Sequence, residues 1–134
     1  MNPSKVREVL LAQHETLRGL FADALELARR RDAGEEVTAA LDELLRRAGR
    51  AFEEHNRYEE SVLRPLFVAQ EWGWARVERM IEEHTDEHRA FVAQLAGEAS
   101  RSATALADFV EEVEAHMAAE ERVFLNVAVL RDPT

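Results

Sequence analysis

The chain has 134 residues, of which 33% are charged and 46% are hydrophobic, and only 5 glycines and 3 prolines interrupt a sequence rich in strong helix formers. This composition predicts a single, soluble, all-α domain over residues 1–134. The formal net charge of -10 argues against binding to nucleic acid or an anionic membrane, and it indicates no particular protein partner. Because cysteine is absent, disulfide scaffolds, thiolate metal sites and thiol catalysis are excluded. No apolar run is long enough for a signal peptide or a membrane span, which predicts a cytoplasmic location.

The first predicted helix begins after residues 2–4, Asn-Pro-Ser, with Ser4 or Asn2 as its N-cap, and ends near residues 32–34. Apolar positions recur along it every three or four residues, as expected for a helix that packs on a core. His14 falls inside that apolar stripe. The stripe consists of Val6, Leu10, His14, Leu17, Phe21, Ala24 and Ala28.

The second predicted helix carries its apolar stripe from Val37 straight through His55 and Glu59 to Val62. Pro65 interrupts the pattern, so we expect this helix to end or kink near residues 63–64. The segment 72–74, Trp-Gly-Trp, marks the next connection, and its two tryptophans are expected to plug one end of the fold.

The third predicted helix spans roughly residues 74–98, and the fourth carries His116 and Glu120 in its apolar stripe. His84 and His88 are four residues apart, which places both imidazoles on the core-facing side of the third helix. The second and fourth helices share the pattern His-x-x-x-Glu-Glu-x-Val and therefore look equivalent. Four long helices joined by short connections predict an antiparallel up-down-up-down four-helix bundle.

All five histidines of the chain lie in the predicted core stripes, and two of them are followed one turn later by a glutamate. Buried polar groups need partners, and a shell of nitrogen and oxygen donors without sulfur suits a metal ion. Seven protein ligands are too many for one zinc ion. They suit two six-coordinate ions that share bridging carboxylates and leave one position open.

This arrangement resembles the hemerythrin family, also called the hemerythrin-like or HHE cation-binding domain. That family has one histidine on the first helix, His-x-x-x-Glu on the second, His-x-x-x-His on the third, and a histidine followed by a carboxylate on the fourth. The resemblance covers essentially the whole chain, and the matching residues follow the family's order. They are His14, His55, Glu59, His84, His88, His116 and Glu120.

The resemblance implies a di-iron centre in which the histidine ligands are divided between the two ions. One iron would be bound by His84, His88 and His116. The second would be bound by His14 and His55. Two glutamates, Glu59 and Glu120, would bridge the ions together with an oxo or hydroxo group, and zinc can substitute for iron in such a nitrogen-rich site.

The fourth helix departs from the family's oxygen carriers, which have an aspartate five residues after the last histidine. Glu121 holds that position here, and Glu120 precedes it. Because Glu120 stays on the same helical face as His116, we expect it to be the bridging ligand. Glu121, rotated by about 140° from His116, is the fallback.

In the oxygen-carrying members, dioxygen binds at the iron that is one ligand short, here the one assigned to His14 and His55. Leu17, Val113 and Met117 would then line the O2 pocket. The resemblance therefore implies a protein that binds O2 or a related small oxidant, for oxygen storage or for oxygen or redox sensing. Iron handling, a nitric oxide response, and weak peroxidase or ferroxidase activity stay open on the same site.

Three competing interpretations use fewer of these residues. Residues 84–88 match the inverted zincin pattern His-x-x-Glu-His, but that reading leaves His14, His55 and His116 unexplained. A ferritin-like centre requires Glu-x-x-His, and no histidine here has a glutamate three residues before it. The third alternative is a metal-free helical interaction domain whose histidines form hydrogen bonds in the core.

Overall fold

The computed structural model describes residues 2–69, 73–125, 129–130 and 132 of the chain. Within those residues the structure is all-helical and has no strand, which confirms the predicted four-helix bundle. None of these helices combines the length and the apolar character needed to cross a lipid bilayer. The helices are α1 (Pro3–Asp32), α2 (Thr38–Ala69), α3 (Trp74–Ala96) and α4 (Ala103–Val123), with a short 3-10 helix at Glu98–Ser100.

Local side-chain contacts fix where the helices begin and how their ends meet. The Asn2 side chain caps α1 by accepting a hydrogen bond from the Ser4 backbone N–H at 3.0 Å. Asp32, at the end of α1, accepts a hydrogen bond from the Ala103 backbone N–H at 2.7 Å, which ties this end to the start of α4. Gly34 follows α1 with a φ of 98°, a conformation that glycine adopts without strain.

Two apolar clusters form the core, one toward each end of the bundle. The upper core consists of Leu17, Phe21, Ala24, Ala28, Leu41, Ala48, Phe52, Phe91, Leu95, Ala99, Leu106, Phe109, Val113 and Met117. The lower core consists of Val6, Leu10, Val62, Leu63, Leu66, Phe67, Val77, Ile81, Phe124, Leu125 and Leu130.

A layer of histidines and glutamates separates the two cores. On α1, His14 follows lower-core residues and precedes upper-core residues, whereas on α2 the order is reversed at His55. On α3 the lower-core residues again come first, and on α4 the upper-core residues up to Met117 precede Phe124 of the lower core, as an up-down-up-down arrangement requires. The polar layer is therefore closed above and below by hydrocarbon, which places it in a medium of low polarity.

Helix α2 continues through Pro65 to Ala69, so of the two alternatives predicted near residues 63–64, an end or a kink, the end is wrong. A proline inside a helix removes one backbone hydrogen bond and is unfavourable by about 3 kcal/mol. Beyond it, however, Leu66 and Phe67 are buried in the lower core. Burial of each such side chain contributes roughly 1.5–3 kcal/mol, so packing outweighs the effect of the proline.

The expectation that the tryptophans plug one end of the bundle is wrong for Trp74. That side chain stands at the first position of α3 and is 64% exposed. Trp72 lies outside the described residues. The lower core is instead filled by Phe67 and Phe124, whose rings meet edge to face with their centroids 5.4 Å apart.

Candidate metal centre

The structure brings all seven predicted ligand side chains into the polar layer between the two cores. Five of them are at most 3% exposed, namely His14, His55, Glu59, His88 and Glu120. The side chains of His84 and His116 are slightly more open, at 14% and 7%. Ionisable groups at this depth need strong partners, because an unpaired buried charge is very unfavourable.

These side chains form two adjoining groups that can each hold a metal ion. Each residue offers one ligand atom, and the ligand atoms of a group all lie within 4.8 Å of one another. Both groups contain the same two glutamates, Glu59 and Glu120. The first group is Glu59, His84, His88, His116 and Glu120, and the second is His14, His55, Glu59 and Glu120. Their role as ligands stays a prediction, and the geometry fits it.

Glu59 turns one carboxylate oxygen toward each group. Its Oε1 lies 3.4 Å from His88 Nε2 and is in close contact with His84 Nε2, whereas its Oε2 lies 3.1 Å from His55 Nε2. Two donors that are each about 2.1 Å from one ion, at right angles to each other, would be about 3 Å apart. The carboxylate is therefore placed to bridge two cations.

Glu120 has a comparable position on the opposite side of the layer. Its Oε1 lies 2.7 Å from His116 Nε2 and 3.9 Å from His14 Nε2, and its Oε2 lies 3.2 Å from His84 Nε2. Because it approaches histidines of both groups, Glu120 has the position expected of the preferred bridging ligand.

Several inward-facing atoms of this layer have no hydrogen-bond partner among the described residues. They are the Nε2 atoms of His14, His88 and His116, Oε2 of Glu59 and Oε1 of Glu120. Some lie close together without hydrogen-bonding geometry, as do His116 Nε2 and Glu120 Oε1. Each unsatisfied buried group is unfavourable by roughly 1–3 kcal/mol. Cations placed between them would satisfy these lone pairs together, so the donor set fits a pair of metal ions.

A ring of outer contacts orients four of the five imidazoles. Each helix carries a hydrogen-bond acceptor directly beside one of its own candidate ligands in the sequence. That acceptor approaches a histidine of the next helix, and the acceptor of α4 approaches the histidine of α1. The Nδ1 distances are 2.7 Å from His55 to Gln13, 3.2 Å from His88 to Glu60, 2.8 Å from His116 to Glu87, and 2.7 Å from His14 to Glu121. An acceptor at Nδ1 keeps the proton there and leaves the Nε2 lone pair directed into the bundle, as metal ligation requires.

Three of these acceptors, Gln13, Glu60 and Glu87, were not predicted from the sequence, and Glu121 was predicted only as the fallback bridging ligand. In the structure Glu121 is 27% exposed and contacts His14 Nδ1, and it belongs to neither ligand group. Arg18 holds it in place, with Nη1 at 2.9 Å from Glu121 Oε2. The available sequence signal was a polar acceptor directly beside a ligand on every helix, at positions 13, 60, 87 and 121.

The electrostatics of the layer follow from its carboxylates. Burial alone would raise the pKa of Glu59, but its close contacts with the imidazoles of His55, His84 and His88 outweigh burial and hold that pKa well below its usual range. Burial likewise opposes charge on His84, yet Glu120 and Glu59 raise its pKa to about 10. The pKa of His116 is also raised, because Glu120 outweighs the effect of burial. The negative charge of the two glutamates therefore favours positive charge in the layer, carried either by protons on the histidines or by metal ions.

The three residues expected to line an O2 pocket are buried in the upper core, next to the polar layer. Leu17, Val113 and Met117 are each at most 2% exposed. Leu17 also borders a cleft between α1 and α2 that reaches His55. Their contribution to an O2 pocket stays a prediction.

Comparison with known protein families matches residues 5–128 to the hemerythrin HHE cation binding domain. The matched range includes all seven side chains of the two ligand groups. Searches among curated proteins and among solved structures found no match.

Proposed function

The chain belongs to the hemerythrin HHE cation-binding domain family, and we propose that it is a non-haem di-iron protein that binds O2 or a related small oxidant. Its role would be oxygen storage, or oxygen or redox sensing. The observation that supports this most strongly is the pair of ligand groups that share Glu59 and Glu120. Two ions held by common carboxylates can act together on one small molecule.

Iron is the metal that this donor set suits best among those available to a nitrogen- and oxygen-rich site. The two groups combine five imidazoles with two carboxylates and contain no thiolate. Imidazole suits iron, zinc and copper, whereas a mixed histidine and carboxylate shell with an open position is typical of non-haem iron. When bound, the iron pair would supply the electrons that O2 accepts.

The protein's own residues would hold the ions, orient the ligands and limit the access of water. The first group would hold one ion with three histidines, and the second would hold the other with two. The ring of acceptors at Nδ1 would keep every contacted imidazole in the same tautomer. Leu17, Val113 and Met117 would exclude water from the side of the centre that faces the upper core.

Anaerobic reduction followed by exposure to O2 tests the proposal. We expect the iron-loaded, reduced protein to gain a visible or near-ultraviolet absorption band when O2 is added. His84→Ala should lower the iron content, because it removes a ligand of the first group. A reduced wild-type protein that holds iron and stays inert to O2 would contradict O2 binding and would favour iron handling or iron sensing on the same residues.

A further inference from the structure

A cleft between α3 and α4 connects the surface with the polar layer. Its volume is about 630 Å³, and its walls include Met80, Phe91 and Val123. It exists because α3 and α4 pack on each other more loosely than the other neighbouring helix pairs do. At its floor the cleft reaches three of the seven candidate ligands, His84, His116 and Glu120.

The exposure of the ligands follows this opening. His84 is the most exposed candidate ligand, at 14%, and His116 follows at 7%. Nε2 of His116 and Oε1 of Glu120, at the cleft floor, have no hydrogen-bond partner in the described part of the chain, and both side chains are more than nine-tenths buried. An arriving cation would therefore meet a partly accessible imidazole first and unsatisfied donors next.

The mouth of the cleft carries negative charge. Glu87 and Glu112 line it, and both are exposed to solvent. Glu87 also contacts His116 Nδ1, so Glu87 both lines the rim of the cleft and orients His116, a candidate ligand. On a chain with a formal net charge of -10, such a rim concentrates cations and repels anions.

Two other clefts approach the layer less directly. The one between α1 and α2, about 310 Å³, reaches His55, which is 2% exposed and whose Nδ1 faces Gln13. The one between α2 and α3, about 410 Å³, reaches His88, which is 3% exposed and whose Nδ1 faces Glu60. Each meets a single ligand of the layer.

We propose that metal ions reach and leave the centre through the cleft between α3 and α4, with Glu87 and Glu112 attracting the cation and His84 acting as its first ligand. This inference rests on the proposed metal centre. It does not depend on O2 binding, because it concerns only the exchange of the ions.

Chelator competition on the iron-loaded protein tests the route. Three alanines occupy comparable exposed positions along the three clefts, Ala115 in the proposed route, Ala12 between α1 and α2, and Ala93 between α2 and α3. Ala115→Trp should slow iron removal by a strong chelator roughly tenfold, equivalent to about 1.4 kcal/mol of added barrier. Ala12→Trp and Ala93→Trp should leave the rate near that of wild type, with circular dichroism confirming the fold of all three.

A charge substitution tests the rim independently. Glu112→Lys should slow the uptake of Fe²⁺ by metal-free protein roughly three- to tenfold at low ionic strength, and added salt should reduce the difference. The matched control is Glu111→Lys, since Glu111 is exposed on the same helix but does not line the cleft. Equal effects of both lysines, or slower iron removal only in Ala12→Trp or Ala93→Trp, would overturn the proposed route. A wild-type protein that retains no metal would instead overturn the metal centre itself.

Discussion

Glu120 and Glu121 are adjacent, and replacing each separately distinguishes the bridging carboxylate from its neighbour. Glu120 offers an oxygen to both ligand groups, whereas Glu121 contacts His14 at the outer nitrogen only. Glu120→Gln and Glu121→Gln have the same chemistry and nearly the same shape change. Any difference between them therefore reports where each side chain lies.

The expected effect of the Glu120 substitution is larger, by up to about a decade per ion. Hydrogen bonds or contacts with a charged group contribute roughly 1.5–3 kcal/mol each, so loss of the Glu120 charge should weaken each ion's binding by roughly 10- to 150-fold. Because Glu120 serves both groups, the effect should fall on both ions. Loss of an outer partner weakens metal binding by roughly 10- to 100-fold. Because Glu121 is 27% exposed, water can take its place at His14. We therefore expect Glu121→Gln to weaken metal binding about tenfold, and only in the second group.

Competition titration with a coloured chelator, together with elemental analysis, measures both effects. Glu120→Gln should lower the affinity of both ions and reduce the metal content, and Glu121→Gln should lower the affinity of one ion and keep the content near that of wild type. If Glu121→Gln loses more metal than Glu120→Gln, then Glu121 is the bridging ligand and the assignment made from the geometry is wrong.

Three further predictions concern stability and the O2 pocket. His84 has a pKa of about 10 in the folded metal-free chain against 6.5 normally, so its stabilising contribution is complete below pH 6.5 and is lost as the pH rises toward 10. The melting-temperature difference between iron-loaded and metal-free protein should therefore widen over that range, and a constant difference would contradict the coupling. Pro65→Ala should raise the free energy of unfolding in chemical denaturation by roughly 1–3 kcal/mol, because it restores a backbone donor in α2, and a decrease would show that the proline is favourable there. Leu17→Glu should suppress the O2-dependent absorption band while iron content stays near that of wild type, and an unchanged band would exclude Leu17 from the pocket.

The helical period was sufficient to predict the bundle and which side chains face its centre. On α1 the predicted stripe and the buried residues are the same set, because one apolar face determines which way an amphipathic helix turns. The positions of His55 and Glu59 followed from the same period. Identification of the fold needed only this pattern and the short connections between helices.

Contacts between helices could not be derived from that period. The contacts of Glu60 with His88 and of Glu87 with His116 were not predicted, because only the packing of neighbouring helices creates them. The continuation of α2 past Pro65 likewise depends on tertiary burial of the residues that follow it. Trp74 is exposed although tryptophan is usually mostly buried, so its residue type alone gave the wrong expectation.

The central claim, that the polar layer is a two-metal centre, is tested most directly by elemental analysis of protein produced with added iron. Five imidazoles and two shared carboxylates in two groups predict about two iron ions per chain. His14→Ala should retain the ion of the first group and lower occupancy of the second. Purified wild-type protein that contains no first-row transition metal after iron-supplemented expression would contradict the account.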